Sequence, residues 1–149
     1  MTRRFFVLLA GAVPCVPAVR GHEVMYVGGT TSVPEATEGQ LDTSDSKLLK
    51  FTSKKGQFQI PYDGVTSLEY GQKAGRRLGV ALTLTVWALL SKKRRHFLTI
   101  GYKDVDDKPQ GVVLELPKGT PKSVITIIEA RSGVKCEYES EEAKKHVHG

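Results

Sequence analysis

The chain carries four histidines and two cysteines, the side chains with most scope for metal ligation or nucleophilic attack. His146 and His148 fall in a polar tail, and His22 stands near a candidate processing point where a new N-terminus would let it chelate a metal. His96 with Cys136 is a further conceivable pair, but none of these positions has zinc-ligand spacing. Asp104, Asp106 and Asp107 resemble a calcium cluster, yet the glycine and distal glutamate of a calcium loop are absent. That acidic run reads as a solvated turn. Ser67 and Ser140 have no adjacent base, and Cys136 between Lys135 and Glu137 lacks the cationic setting that activates a thiol. Gly71, Gly75 and Gly79 recur at four-residue intervals without the lysine and hydroxyl residue of a phosphate loop. No catalytic residue, cofactor or metal site is therefore expected, and the chain reads as a non-enzyme.

The elements that would position these residues are mostly strands. Residues 23–29, 38–43, 47–52, 57–62 and 65–70 are read as five short strands separated by turn signals. In the fourth, Phe58, Ile60 and Tyr62 alternate with Gln57, Gln59 and Pro61, as a half-buried strand requires. Pro61 lacks a backbone donor, which places that end at an edge or a bulge. Residues 96–103 and 110–116 predict a hairpin about the loop 104–109. The period then changes: Val124, Ile127, Ile128 and Arg131 recur at helical spacing with Ile125 flanking, Thr120 or Pro121 as the start and Gly133 as the stop. Residues 134–138 read as a last extended piece, and the charged tail 139–149, with little to bury, is expected to fray or be disordered.

Short strands followed by one amphipathic helix define a mainly β (α+β) class: a strongly bent antiparallel sheet or small barrel with a C-terminal capping helix. The runs QFQIPYDGVTSLEYGQKAGRR, KKRRHFLTIGYKD, QGVVLELPKG and TPKSVITIIEARSG are together similar to pleckstrin-homology-like and GRAM-type domains, in particular to exported bacterial proteins of that layout. The likeness covers roughly residues 24–138 and implies a binding module, with no phosphoinositide-binding motif carried over. Fold resemblance says little about function, because one architecture hosts many.

Arg3 and Arg4, the apolar stretch from Phe5 to Val13 and the small residues after it have the layout of a secretory signal over residues 1–21. Cleavage would follow Val16-Pro17-Ala18 or Val19-Arg20-Gly21, and Pro14 stands where a lipidation signal wants a small residue. The expected location is therefore periplasmic or extracellular, peripheral to a membrane. Loss of 1–21 removes three arginines and no acid, so the net charge of +6 falls to about +3. It also leaves Cys136 as the one thiol, unable to form an internal disulfide. The remaining residues 22–138 are long enough for one domain.

One stretch interrupts that domain. Residues 78–90 (LGVALTLTVWALL) hold no charge, while Lys73, Arg76 and Arg77 precede them and Lys92, Lys93, Arg94 and Arg95 follow. As a helix this apolar insertion would be roughly 20 Å long, against a hydrocarbon core of about 30 Å, so a lone spanning helix is not expected. Leu78, Val80, Leu82, Leu84, Val86, Ala88 and Leu90 also keep period two, but a strand so long would be unusual, and the reading favours a helix. Two functions fit. Leu82, Leu84, Trp87 and Leu90 can enter the interface of an anionic membrane while the basic residues meet headgroups, each contributing on the order of 1 kcal/mol. Alternatively the segment is buried in the protein's own core or in an oligomer interface, which makes the chain a structural or protein–protein interaction domain. Nucleic acid is not an expected partner, since the basic cluster lacks interleaved aromatics, and no small-molecule substrate is indicated.

Overall fold

The computed structural model describes residues 22–72 and 96–149. The apolar insertion 78–90 and the signal segment 1–21 lie outside the described residues. Seven strands follow one another: β1 (His22–Gly29), β2 (Thr37–Asp42), β3 (Leu48–Ser53), β4 (Gly56–Pro61), β5 (Val65–Gly71), β6 (Phe97–Lys103) and β7 (Pro109–Glu115). Helix α1 (Pro121–Ser132), the three-residue β8 (Cys136–Tyr138) and helix α2 (Glu141–His148) complete the elements of the described residues.

The strands form one mixed sheet in the order β4-β3-β2-β1-β7-β6-β5-β8. Two meanders, β1–β4 and β5–β7, are joined where β1 pairs antiparallel with β7. The register between them shifts from Tyr26 to Gly28, a bulge that adds local bend. All neighbours are antiparallel except β5 and β8, which run parallel. The sequence led us to expect an antiparallel sheet or a small barrel, and the sheet is instead mixed and open. The parallel pair arises because α1 carries the chain back along the sheet before β8 adds to its edge.

β4 lies at the other edge, where the missing N–H of Pro61 costs no ladder bond. A single 3-10 turn, Tyr62–Gly64, links β4 to β5 without their pairing. Helix α1 packs against this turn. It opens with Pro121 at its start and ends where Gly133 turns left-handed (φ 75°), its N–H bonded to the Glu129 carbonyl. Val124, Ile125 and Ile128 face the core, whereas Ile127 is half-buried. Arg131 clamps the helix end: its Nη1 donates to the carbonyls of Thr43 and Asp45 and to the Tyr62 hydroxyl. The same guanidinium lies 5.3 Å from the Tyr62 ring centroid.

Alternation along the strands sends Tyr26, Leu41, Phe51, Ile60, Leu68, Tyr70, Leu98, Ile100, Val112 and Leu114 into one core, joined by the buried faces of both helices. Tyr26, Phe51 and Phe58 form an aromatic cluster with ring centroids 4.9–6.0 Å apart.

The tail is the second correction. Far from fraying, residues 141–148 form α2 and bury Ala143 and Val147 in the core cluster. The Ser140 hydroxyl caps its start by accepting from the Ala143 N–H, with Glu141 and Glu142 in the first turn and Lys145, His146 and His148 in the last.

Candidate functional site

The residues expected to meet a membrane or partner, Lys73, Arg76, Arg77, Leu82, Leu84, Trp87, Leu90, Lys92, Lys93, Arg94 and Arg95, all lie outside the described residues. What is described is the surface from which that segment leaves and to which it returns. Gln72 follows β5 and His96 precedes β6, and the last ladder pair between these strands is Gly71 with Phe97. The N–H of Gln72 donates to a carboxylate oxygen of Glu139. Gly71 is needed here because a Cβ on it would collide with the Glu139 side chain.

Two lateral rows run from this point across the sheet face opposite the core. One is Gly71, Phe97, Glu115, Met25 and Glu38, in register on successive strands. The next is Glu137, Glu69, Thr99, Val113 and Gly28. A face opposite the core of an antiparallel meander ordinarily meets water. Here Phe97 is 2%, Thr99 3% and Val113 0% exposed. The buried side chains of both helices belong to the core cluster on the opposite side, of which Phe97 and Val113 are not members. Towards β1–β3 the same face opens into a groove of about 1110 Å³, lined by Met25, Glu38, Gln40, Thr52, Lys54 and Glu115 among others.

At the base of the segment the aromatic residues gather on the core side. His96 stacks on Tyr70 (centroids 5.6 Å apart) and on His146 of α2 (4.5 Å, planes 19° apart). The Tyr70 hydroxyl lies 2.9 Å from His146 Nδ1, and the Tyr138 hydroxyl lies 3.0 Å from His148 Nε2. Nε2 of His96 is shielded from water and has no hydrogen-bond partner among the described residues. Desolvation, and then the neighbouring His146, lowers the His96 pKa below its ordinary value. Burial pushes the Tyr70 hydroxyl up to about 12. The sequence placed His146 and His148 in a solvated tail; α2 brings both onto tyrosines, and positions 70, 96 and 146 are too far apart in the chain for spacing to reveal it.

The remaining chemistry-bearing residues are spent on structure. Asp104 Oδ1 accepts from the N–H groups of Asp106 and Lys108 and Oδ2 from Gln110 Nε2, so this carboxylate builds the β6–β7 turn, and the Lys108 N–H above all holds its pKa below the usual carboxylate range. Cys136 is buried in β8, and its N–H donates to Glu129 of α1. Desolvation, reinforced by the Glu129 charge, pushes its thiol up to about 12, the opposite of an activated nucleophile. Among the described residues no group of three or more His, Cys, Asp or Glu is placed to hold a metal ion, and no helix is long and apolar enough to cross a membrane.

No protein-family model matches this chain, and no curated protein matches it.

Proposed function

We propose that this chain is a non-enzymatic, exported interaction domain of pleckstrin-homology-like architecture whose apolar segment 78–90 covers the outer face of its own sheet. The observation that carries the reading is the dryness of Phe97, Thr99 and Val113 within a single chain, on a face that neither helix covers. Such side chains lose water only against other atoms of the same chain. Residues 73–95 begin and end beside Phe97, at Gln72 and His96. They match the face in chemistry, since an apolar centre flanked by seven basic residues meets apolar Phe97 and Val113 bordered by Glu69, Glu115 and Glu137. Two meanders joined through β1 and β7, with a helix against the β4–β5 turn, support the pleckstrin-homology-like part of the reading. Intramolecular burial is favoured over a membrane wedge, because the dry outer face offers an apolar run a seat within its own chain.

Trp87 is the only tryptophan, so its fluorescence reports on this segment alone. The expected result is blue-shifted emission, protected from acrylamide, independent of protein concentration and unchanged by anionic vesicles at low salt. Solvent-like emission that turns blue on adding anionic vesicles, and reverts at high salt, would overturn the reading in favour of membrane contact. Blue-shifted emission that appears only with rising protein concentration would overturn it in favour of an oligomer interface.

A further inference from the structure

We infer that the stacked imidazoles of His96 and His146 form an acid-labile latch that holds helix α2 on the sheet. His96 stands just before β6 and His146 in the last turn of α2, and their rings are 4.5 Å apart and nearly parallel. Neutral rings stack at this distance, whereas two imidazolium ions repel. His96 Nε2 is withdrawn from water and has no acceptor among the described residues, so burial in the docked state opposes a charge on this ring.

The groups around the pair determine the direction of the response. From β5, Tyr70 stacks on both rings, its hydroxyl lies 2.9 Å from His146 Nδ1, and burial keeps that hydroxyl protonated. From α2, Glu142 lies on the same helix as His146 and favours the charged form of His96, as does Glu139 just before the helix. Lys145 and His148 share that last turn, and His148 is bonded to Tyr138 of β8. From β8 comes also Cys136, and from α1 comes Glu129, whose carboxylate accepts the Cys136 N–H, while Glu137 lies on the opposite face of the sheet. The two glutamates oppose the effect without reversing it, because desolvation and His146 outweigh them at His96.

The folded-state pKa of His96 lies below its ordinary value of 6.5, first through desolvation and then through His146 of α2, so the folded arrangement favours the neutral ring. The stability it contributes is fully present above about pH 6.5 and is lost as pH falls below that value towards the lowered folded pKa. Uptake of up to one proton on opening makes the open form more populated as pH falls, by at most about tenfold per pH unit across this window. Above it the docking equilibrium is flat.

Amide hydrogen exchange across residues 141–149, corrected for intrinsic rates and followed from pH 8 to pH 5, tests the latch. The expected result is a fall in protection of up to about tenfold per pH unit below 6.5, while amides of β6 and β7 keep theirs. His96→Phe keeps an aromatic ring in the stack without a titrating group and is expected to remove the pH dependence. Protection of α2 that does not change with pH, or that falls equally in His96→Phe, overturns the proposal. The wild-type protein gives a second reading that needs no variant: the His96 ring resonance is expected to titrate below pH 6.5, and a midpoint at or above that value also overturns it.

Discussion

Replacing Phe97 by alanine tests whether the outer face of the sheet is truly closed. Phe97 is the first residue of β6, 2% exposed, on the face away from the core cluster. On a wet sheet face the truncation would remove little buried area and cost no more than a typical surface change, within about 0.5 kcal/mol. On a closed face it deletes a whole ring from packed surroundings, and phenylalanine-to-alanine changes of that kind cost about 3–5 kcal/mol. For a folded unit of roughly 128 residues, each kcal/mol lowers the midpoint by about 3 °C, so a fall of roughly 10–15 °C is expected.

The adjacent residue supplies the calibration. Leu98 is 0% exposed and points into the core, where alanine should cost about 2–5 kcal/mol. Val105, 96% exposed in the β6–β7 turn, supplies the opposite limit, and alanine there should stay within about 0.5 kcal/mol. Urea unfolding of the three variants beside the wild type would rank them. If Phe97→Ala falls with Leu98→Ala, the sheet is packed on both faces. If it falls with Val105→Ala, the outer face is open and the argument for a segment lying over it fails.

Two further substitutions probe the frame. Arg131→Ala leaves the Tyr62 hydroxyl and the Thr43 and Asp45 carbonyls without their shared donor and should lower stability by about 1–3 kcal/mol in urea unfolding; Arg131→Lys should recover only part of it, a single ammonium being unable to spread over the Tyr62 ring as the planar fork does. The Cys136 thiol, buried and pushed up to about 12, should resist iodoacetamide at pH 8 in the native protein and react once unfolded; labelling at equal rates in both states would show that β8 does not hold against β5.

Most strand positions were legible because their side chains follow a strict period and turns punctuate them. Phe58 and Ile60 are buried as the alternation in residues 57–62 required, and Asp45, with Oδ1 accepting from the N–H groups of Lys47 and Leu48, makes the turn that a Ser-Asp-Ser run announces. Helix α1 ends at its glycine because only a residue without Cβ turns left-handed there at little cost. The parallel seat of β8 was not legible: three residues carry no period, and their direction depends on where α1 returns the chain. Helix α2 was missed for another reason. Its composition is that of a disordered tail, and only Ser140 as a cap, two acids in the first turn and the pair Ala143 and Val147 at i,i+4 mark it as a docked helix.

Residues outside the apolar segment bear most strongly on where it packs. Residues 78–90 by themselves fit a strand, a helix, a core or a membrane interface, because a run with no charged residue marks no clear solvent face. Strands β6 and β7 do have faces, and their sequences depart from alternation: from Phe97 to Tyr102 and from Gly111 to Leu114 every residue is buried. Strands that read as continuous apolar runs are strands covered on both sides. Helices α1 and α2 fill the core side, so FLTIGY and GVVL call for a second cover that neither helix provides. An insertion placed between the partners of the β5–β6 ladder, with one apolar stretch of its own, is the part of the chain best placed to be that cover.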